Sequence, residues 1–240
     1  MIVGHRYGWV DGARGVIKFD GCGRWWWQGF TMSLGTHFVF MRHGEATHNV
    51  AAWTQGVAAY QDPAYADAEL TDVGLGQCAA SGARLKELGP YNVIYCSPLR
   101  RCRNSLLSAI PDADTWPVLL DDRLMEPQGF HVCNRRRNRL TVREESPVVW
   151  STQAVGPINP YTGWRETEGS ASANFYGRIR AFTESVVVSG ATRVLVVSHH
   201  EWIRRWFEIY HGAEDVSPAN AEVLVGFVPK KLEGGGDHEQ

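Results

Sequence analysis

The sequence has no basic surplus, no apolar run long enough to cross a bilayer and no cysteine pair at metal-site spacing. Its 240 residues carry 24 Lys and Arg against 26 Asp and Glu, a formal net charge of −2. Binding to a nucleic-acid backbone draws on a cationic surplus that displaces counterions, so no nucleic-acid partner is expected. A spanning helix needs about 20 consecutive apolar residues; none is present, and no membrane partner is expected. Gly, Arg and Asp interrupt every short apolar stretch before Trp25, which leaves no signal-peptide pattern. The five cysteines, Cys22, Cys78, Cys96, Cys102 and Cys133, are odd in number and contain no C-x-x-C pair. Neither a zinc knuckle nor a disulfide framework is indicated. Reduced thiols in a soluble, cytoplasmic protein are the expectation.

What is present is enough chain for one full core with decoration. Residues 1–31 hold seven of the 25 glycines and four of the ten tryptophans, including Trp25-Trp26-Trp27, with neither helical nor strand periodicity. They read as an irregular, dispensable N-terminal extension before a domain over 32–228, and residues 229–240 read as a flexible tail. Within the domain, apolar strands alternate with helices. His37 to Met41 is the first strand. A helix of about 17 residues follows Leu70, with Thr71 as N-cap and a stripe of Leu75, Cys78, Ala79, Gly82 and Leu85. Asn92–Cys96 is a second strand, and Ser97-Pro98 is placed at N-cap and N1 of the next helix. Val118–Leu120 is a strand, and 131–170 reads as an irregular insertion. A helix carries Phe175, Ile179, Phe182 and Val186. Arg193–Val197 is a strand, Glu201–Tyr210 a helix and Ala221–Val228 a final strand. Continuous apolar strands separated by helices indicate an α/β fold, a three-layer α/β/α sandwich with a mostly parallel central sheet.

In such sheets ligands bind beyond the carboxyl ends of the strands. The first strand ends in Arg42-His43-Gly44-Glu45, and the second leads through Ser97 to Arg100 and Arg101. The third is followed by Arg123 and Glu126, and the fourth ends in Ser198-His199-His200. Arginine forks and helix N-termini recognise phosphate oxygens, and histidine supplies a nucleophile or acid near neutrality. These residues together indicate a phosphate site.

Arg42-His43-Gly44-Glu45 with Asn49 resembles the R-H-G-E-x-x-x-N signature of the histidine phosphatase (phosphoglycerate mutase-like) superfamily. Leu70-Thr71-x-x-Gly74-x-x-Gln77, Ser97-Pro98-Leu99-x-Arg101 and Val197-Ser198-His199 resemble its later blocks, in family order. Gly129-x-His131-x-Cys133-Asn134-x-Arg136-Arg137 is similar to a segment of eukaryotic members. The resemblance implies His43 as nucleophile, with Arg42, Arg101, His199 and Asn49 around the transferred phosphoryl group. It implies Glu126 as general acid, which requires a carboxyl raised from its usual range by burial. No cofactor and no metal are implied. The activity implied is a metal-independent phosphomonoesterase acting on a small phosphorylated molecule through phosphohistidine.

Rival readings stand beside this one. Glu45, Asp121 and Asp122 compete with Glu126 for the acid's role. Arg100 reads as a surface neighbour of Arg101, and His48, His131 and His200 as scaffold or rim. His200 stands where many relatives have glycine, so its ring either narrows the pocket or turns outward. The run Arg135, Arg136, Arg137 and Arg139 reads either as a solvated loop or as a clamp for a second anion. A cofactor-dependent phosphoglycerate mutase is the alternative within the same chemistry; the absence of tryptophan before Asn49 argues against it. A catalytically silent phospho-ligand binder is the alternative from another class. The five-residue spacing of His43 and His48 does not match the one-face placement of H-E-x-x-H, which disfavours a metallohydrolase. Oligomeric state and substrate identity leave no mark in the sequence.

Overall fold

The computed structural model describes residues 16–19, 25–28, 35–113, 118–137, 141–142, 151–153 and 167–230. The chain divides into two compact units, one of Thr36–Val228 and one of Met1–Gly35 with Pro229–Gln240. In the smaller unit, β1 (Val16–Phe19) and β2 (Trp25–Gln28) pair antiparallel, with Val16 opposite Gln28 and Phe19 opposite Trp25. Both strands lie within the stretch that reads as irregular from the sequence. Four-residue strands are too short to display a period, yet Val, Ile, Phe and Trp are the residue types that suit a pleated ladder.

The larger unit is built on a six-stranded sheet in the order β6-β5-β4-β7-β3-β8. Its elements run β3 (Gly35–Arg42), α1 (Thr47–Gln55), α2 (Asp72–Leu88), β4 (Val93–Cys96), α3 (Arg100–Ala109) and β5 (Val118–Asp121). They continue with β6 (Ser151–Gln153), α4 (Ala173–Val188), β7 (Arg193–Ser198), α5 (His200–His211) and β8 (Val223–Pro229). β3 with β7, β7 with β4, β4 with β5 and β5 with β6 all pair parallel. The expected three-layer α/β/α architecture is therefore present, with the carboxyl ends of five strands on one edge.

Period-two alternation sends the two faces of each strand into separate cores. Phe38 and Phe40 of β3 and Val194 and Val196 of β7 join Phe175, Ile179, Phe182, Trp202 and Trp206 of α4 and α5. Val39 and Met41 with Leu195 and Val197 join Cys78 and Leu85 of α2 and Cys102 and Leu106 of α3. Burying a large side chain of this kind contributes about 1.5–3 kcal/mol, so the sheet is fixed from both sides.

Three local expectations need correction, and two elements carry no signal in the sequence. In α2, Gly74, Cys78 and Leu85 are buried, whereas Leu75 and Ala79 are exposed. The inward face turns on glycine at position 74 because main chain, not side chain, packs there. α3 begins at Arg100 with Leu99 at the N-cap position, not at Ser97. The Ser97 hydroxyl lies 2.8 Å from His199 Nε2 and is engaged there rather than capping the helix. The 131–170 insertion contributes β6, whose Leu119↔Ser151 register extends the parallel sheet. Its residues 138–140, 143–150 and 154–166 lie outside the described residues, and Arg139 among them. Finally, α1 and the 3-10 turn Gly56–Tyr60 occupy a stretch with no clear apolar period, where Trp53 is 74% exposed.

Candidate active site

β3 and β7 end side by side, with Arg42 paired to Ser198, so the next residue of each strand is a histidine at the same edge. The rings of His43 and His199 stand edge to face, 5.2 Å between centroids. The main chain of His43 is bonded on both sides. Its N–H donates to the Ser198 carbonyl at 3.1 Å, and its carbonyl accepts from the Ala221 N–H and Asn220 Nδ2, each at 3.2 Å.

Two partners fix the imidazole tautomer. Nδ1 lies 2.7 Å from the Gly44 carbonyl, which only accepts, so Nδ1 carries the proton. Nε2 lies 3.2 Å from Arg101 Nε, which only donates, so Nε2 presents its lone pair. Burial, followed by the Arg101 and Arg42 charges, holds the ring's pKa well below the ordinary histidine value. His43 is a neutral base with Nε2 facing a guanidinium.

The loop after His43 rests directly on α2. A Cβ on Gly44 would fall 2.4 Å from the Gly74 carbonyl oxygen, and a Cβ on Gly74 would fall 2.0 Å from the Glu45 carbonyl oxygen. Both contacts are closer than any side chain tolerates. Thr71 caps α2 by accepting from the Gly74 N–H, and its hydroxyl donates to the Glu45 carboxylate at 2.7 Å. Gln77 Oε1 accepts from the Glu45 N–H at 2.9 Å. Glu45 thus serves the loop's anchoring.

Arg101, 1% exposed, spends its fork on three partners. Besides Nε at His43, Nη1 donates to the Cys133 carbonyl at 2.9 Å and Nη2 to Asn134 Oδ1 at 2.8 Å. Asn134 Nδ2 in turn donates to the Pro127 carbonyl at 2.8 Å, tying the arginine to the segment after Glu126. Arg42 Nη1 donates to the Pro218 carbonyl at 2.9 Å, while its buried Nε has no hydrogen-bond partner among the described residues. Asn49 sits in the first turn of α1, where Oδ1 accepts from the Ala46 N–H and Nδ2 donates to His48 Nε2. His199 is fully buried with Nε2 at the Ser97 hydroxyl and Cys102 Sγ 3.4 Å from the same nitrogen. Burial, then Arg101, keeps it neutral.

Glu126 lies at the N-terminus of α5 and accepts from the main-chain N–H groups of Glu201 at 3.1 Å and Trp202 at 3.2 Å. Burial raises its pKa above the ordinary carboxyl value; those two amides and Arg101 oppose the rise, and Glu201 adds to it. The rival carboxylates are committed elsewhere. Asp121 is forked by Arg123 at 2.6 Å, and Asp122 pairs with Arg136 at 3.0 Å. The segment leading to Glu126 is held from three directions. Arg178 Nη1 donates to the carbonyls of Arg123 and Met125, Trp202 Nε1 to that of Arg123 and the Ser198 hydroxyl to that of Leu124. Arg178 is itself gripped by Glu168 in a buried two-point pair.

The remaining candidates fall outside this cluster. Arg100 pairs with Glu69, and its N–H donates to Asp67. His200 turns to the Ser217 hydroxyl at 3.1 Å, away from His43. His48 and His131 stand on either side of Tyr60, with centroids at 5.8 and 5.3 Å. The arginine run is not uniformly solvated: Arg136 is buried against Asp122, and Arg137 faces Asp67 at 3.8 Å. Sequence reasoning missed Asn134 as the bracket on Arg101, Arg178 and Trp202 as supports of the Glu126 segment, Ser97 as the partner of His199, and Tyr60. Each acts across a long sequence separation. Only Asn134 and Ser97 carried a signal, their places in the Cys133-Asn134-x-Arg136 and Ser97-Pro98-Leu99-x-Arg101 segments. Among the described residues no group of three or more His, Cys, Asp and Glu is arranged to hold a metal ion.

Comparison with known proteins agrees with this geometry. The model of the histidine phosphatase superfamily (branch 1) matches residues 38–223. A probable phosphoglycerate mutase GpmB of Erwinia tasmaniensis is 31% identical over 160 residues, 66% of this chain and 67% of that one. The fold superposes on phosphoglycerate mutase from Bacillus anthracis with a TM-score of 0.55 at 18% identity, covering 82% of this chain and 89% of the other. It also superposes on a putative alpha-ribazole-5'-P phosphatase from Escherichia coli with a TM-score of 0.54 at 16% identity, covering 82% and 92%.

Proposed function

Because the chain belongs to the histidine phosphatase superfamily, we propose that it hydrolyses phosphomonoesters through a phosphohistidine formed on His43. The observation that carries this reading is the fixed tautomer of His43, with the Nε2 lone pair presented beside Arg101. In the first step Nε2 attacks phosphorus, the bond from phosphorus to the ester oxygen breaks, and protonated Glu126 gives its proton to that oxygen. In the second, Glu126 takes a proton from water as the water oxygen attacks phosphorus, and inorganic phosphate leaves His43. Arg42 and Arg101 meet the charge on the phosphoryl oxygens, and the unpartnered Nε of Arg42 is a donor in reserve for that purpose. His199 and Asn49 complete the surroundings of the phosphoryl group. The raised pKa of Glu126 supports its role as acid, since the group must hold a proton near neutrality.

Rapid quenching during turnover of a phosphomonoester should trap acid-labile phosphate on His43, with phosphate released from the first cycle. Trapping on another residue overturns the mechanism. The mutase reading is favoured by the name of the Erwinia relative. It requires priming by 2,3-bisphosphoglycerate, so phosphate release that proceeds unprimed decides for hydrolysis.

A further inference from the structure

The phosphoryl site accounts for the arginines and for one face of His43, but a file of rings beside it has no part in that chemistry. From His43 the rings run to His48 at 6.1 Å, from His48 to Tyr60 at 5.8 Å and from Tyr60 to His131 at 5.3 Å, centroid to centroid. Exposure rises along the file. His43 and His48 are 3% and 5% exposed, Tyr60 is half-buried, and His131 is exposed next to Phe130, which is 80% exposed. The file therefore leads from the nucleophile to solvent. Three separate segments build it: α1, the turn Gly56–Tyr60 and the 131–137 stretch. Resting on the phosphomonoesterase reading, we propose that these rings line the leaving-group side of the site and select phosphomonoesters of ring-bearing, uncharged alcohols over those carrying a second anionic group.

Two observations support that chemistry. The first is that the wall is neutral near pH 7. Burial, with the Arg101 and Arg42 charges, takes His48 down to about 2, and burial lowers His131 as well. Rings without charge offer edge and offset contacts to another ring but no counter-charge to a carboxylate. The second is that three arginines of the neighbouring segments already face carboxylates. Arg100 pairs with Glu69, Arg136 with Asp122, and Arg137 stands opposite Asp67. A second carboxylate or phosphate on the substrate that called on one of these three would have to displace its partner.

Direct calorimetric binding to the full chain tests this without relying on turnover or on leaving-group reactivity. The probes are phenylphosphonate, methylphosphonate and phosphonoacetate, which share the phosphoryl end and differ only in what faces the wall. Phenylphosphonate should bind about tenfold more tightly than methylphosphonate, and phosphonoacetate no better than methylphosphonate. Tyr60→Ala should bring the phenyl-to-methyl ratio to within about twofold of unity, and Tyr60→Phe should restore it. A ratio near one in the unaltered protein, a ratio unchanged in Tyr60→Ala, or tightest binding by phosphonoacetate overturns the proposal. Failure to trap phosphate on His43 would instead overturn the hydrolytic reading, which equilibrium binding of phosphonates does not probe.

Discussion

His43 and Glu126 reach the same strand edge, but they are held by different means. His43 itself is fixed mostly by main chain, the Ser198 and Gly44 carbonyls and the Ala221 amide, with two glycines that bring its loop against α2. The Glu126 segment is fixed by side chains from distant elements, Arg178, Trp202 and Ser198, and its carboxylate rests on two amides of α5. A nucleophile must lie in line with phosphorus to within a fraction of an ångström, and main-chain bonding supplies that rigidity. An acid that gives up and regains a proton in each cycle is served by a setting in which burial and amide donors oppose one another. The difference makes the two halves of the site break differently.

The largest effect is expected at His43, the proposed nucleophile. His43→Ala should lower turnover by about four orders of magnitude or more while preserving the melting temperature, because no neighbouring group can attack in its place. Substantial residual turnover would show that the main-chain cradle presents the wrong residue. Next comes the arginine pair. Arg101→Ala should cost about 10²–10³ in turnover, whereas Arg100→Ala, bonded to Glu69, should stay within about threefold. Equal losses would mean that both side chains serve the phosphoryl group.

On the acid side the loss should depend on the substrate. Glu126→Gln should slow alkyl phosphates by about 10²–10⁴ and nitrophenyl phosphate far less, since a nitrophenolate leaves without a proton. Equal slowing of both would make Glu126 a structural cap of α5.

The buried histidines predict a pH dependence of stability. His48 titrates near 2 in the folded state against the ordinary 6.5, so below pH 6.5 the unfolded chain binds the extra proton. Stability from this group is full above about pH 6.5 and falls by about 1.4 kcal/mol per pH unit below it. His43 and His199 act in the same direction. Melting curves from pH 7.5 to 5 should show this slope, and His48→Gln should make it shallower by one proton. An unchanged slope would show that His48 is protonated in the fold.

The smallest effect tests the side-chain scaffold of the acid. Trp202→Phe removes the indole donor to the Arg123 carbonyl and should cost about 1 kcal/mol of stability. It should also slow alkyl more than aryl phosphates, as a faint copy of Glu126→Gln. A loss of stability with no change in substrate preference would separate Trp202 from the positioning of Glu126.

The sequence displays one half of this molecule more openly than the other. β3, β4 and β7 are apolar runs ending in the residues of the site, so the strand edge can be read directly. The buried positions of α4, Phe175, Ile179, Phe182 and Val186, follow the helical period and are all found inside. What is not legible depends on contacts far apart in the chain. Asn134 and Arg101, or Arg178 and the Arg123 carbonyl, meet only after folding. α1 has no apolar stripe, and its exposed Trp53 obscures what period there is. Ser97 has the sequence of a helix cap and serves His199 instead, and α2 turns Gly74 inward and leaves Leu75 exposed.

That glycine contact has a consequence for how the protein comes to be active. The Arg42–Glu45 block and the Thr71–Gln77 block are joined through Gly44, Gly74 and Thr71 with no room for a side chain between them. The His43 loop rests on α2 as well as on Ser198, Ala221 and Ser105, so its full geometry forms only once α2 has docked on the sheet. Amide exchange at Gly44 and Glu45 should then proceed through the same global opening that exposes the core, rather than through local fraying. During refolding, catalytic competence should return in the step that docks α2, which makes enzymatic rate a direct reporter of that late assembly event.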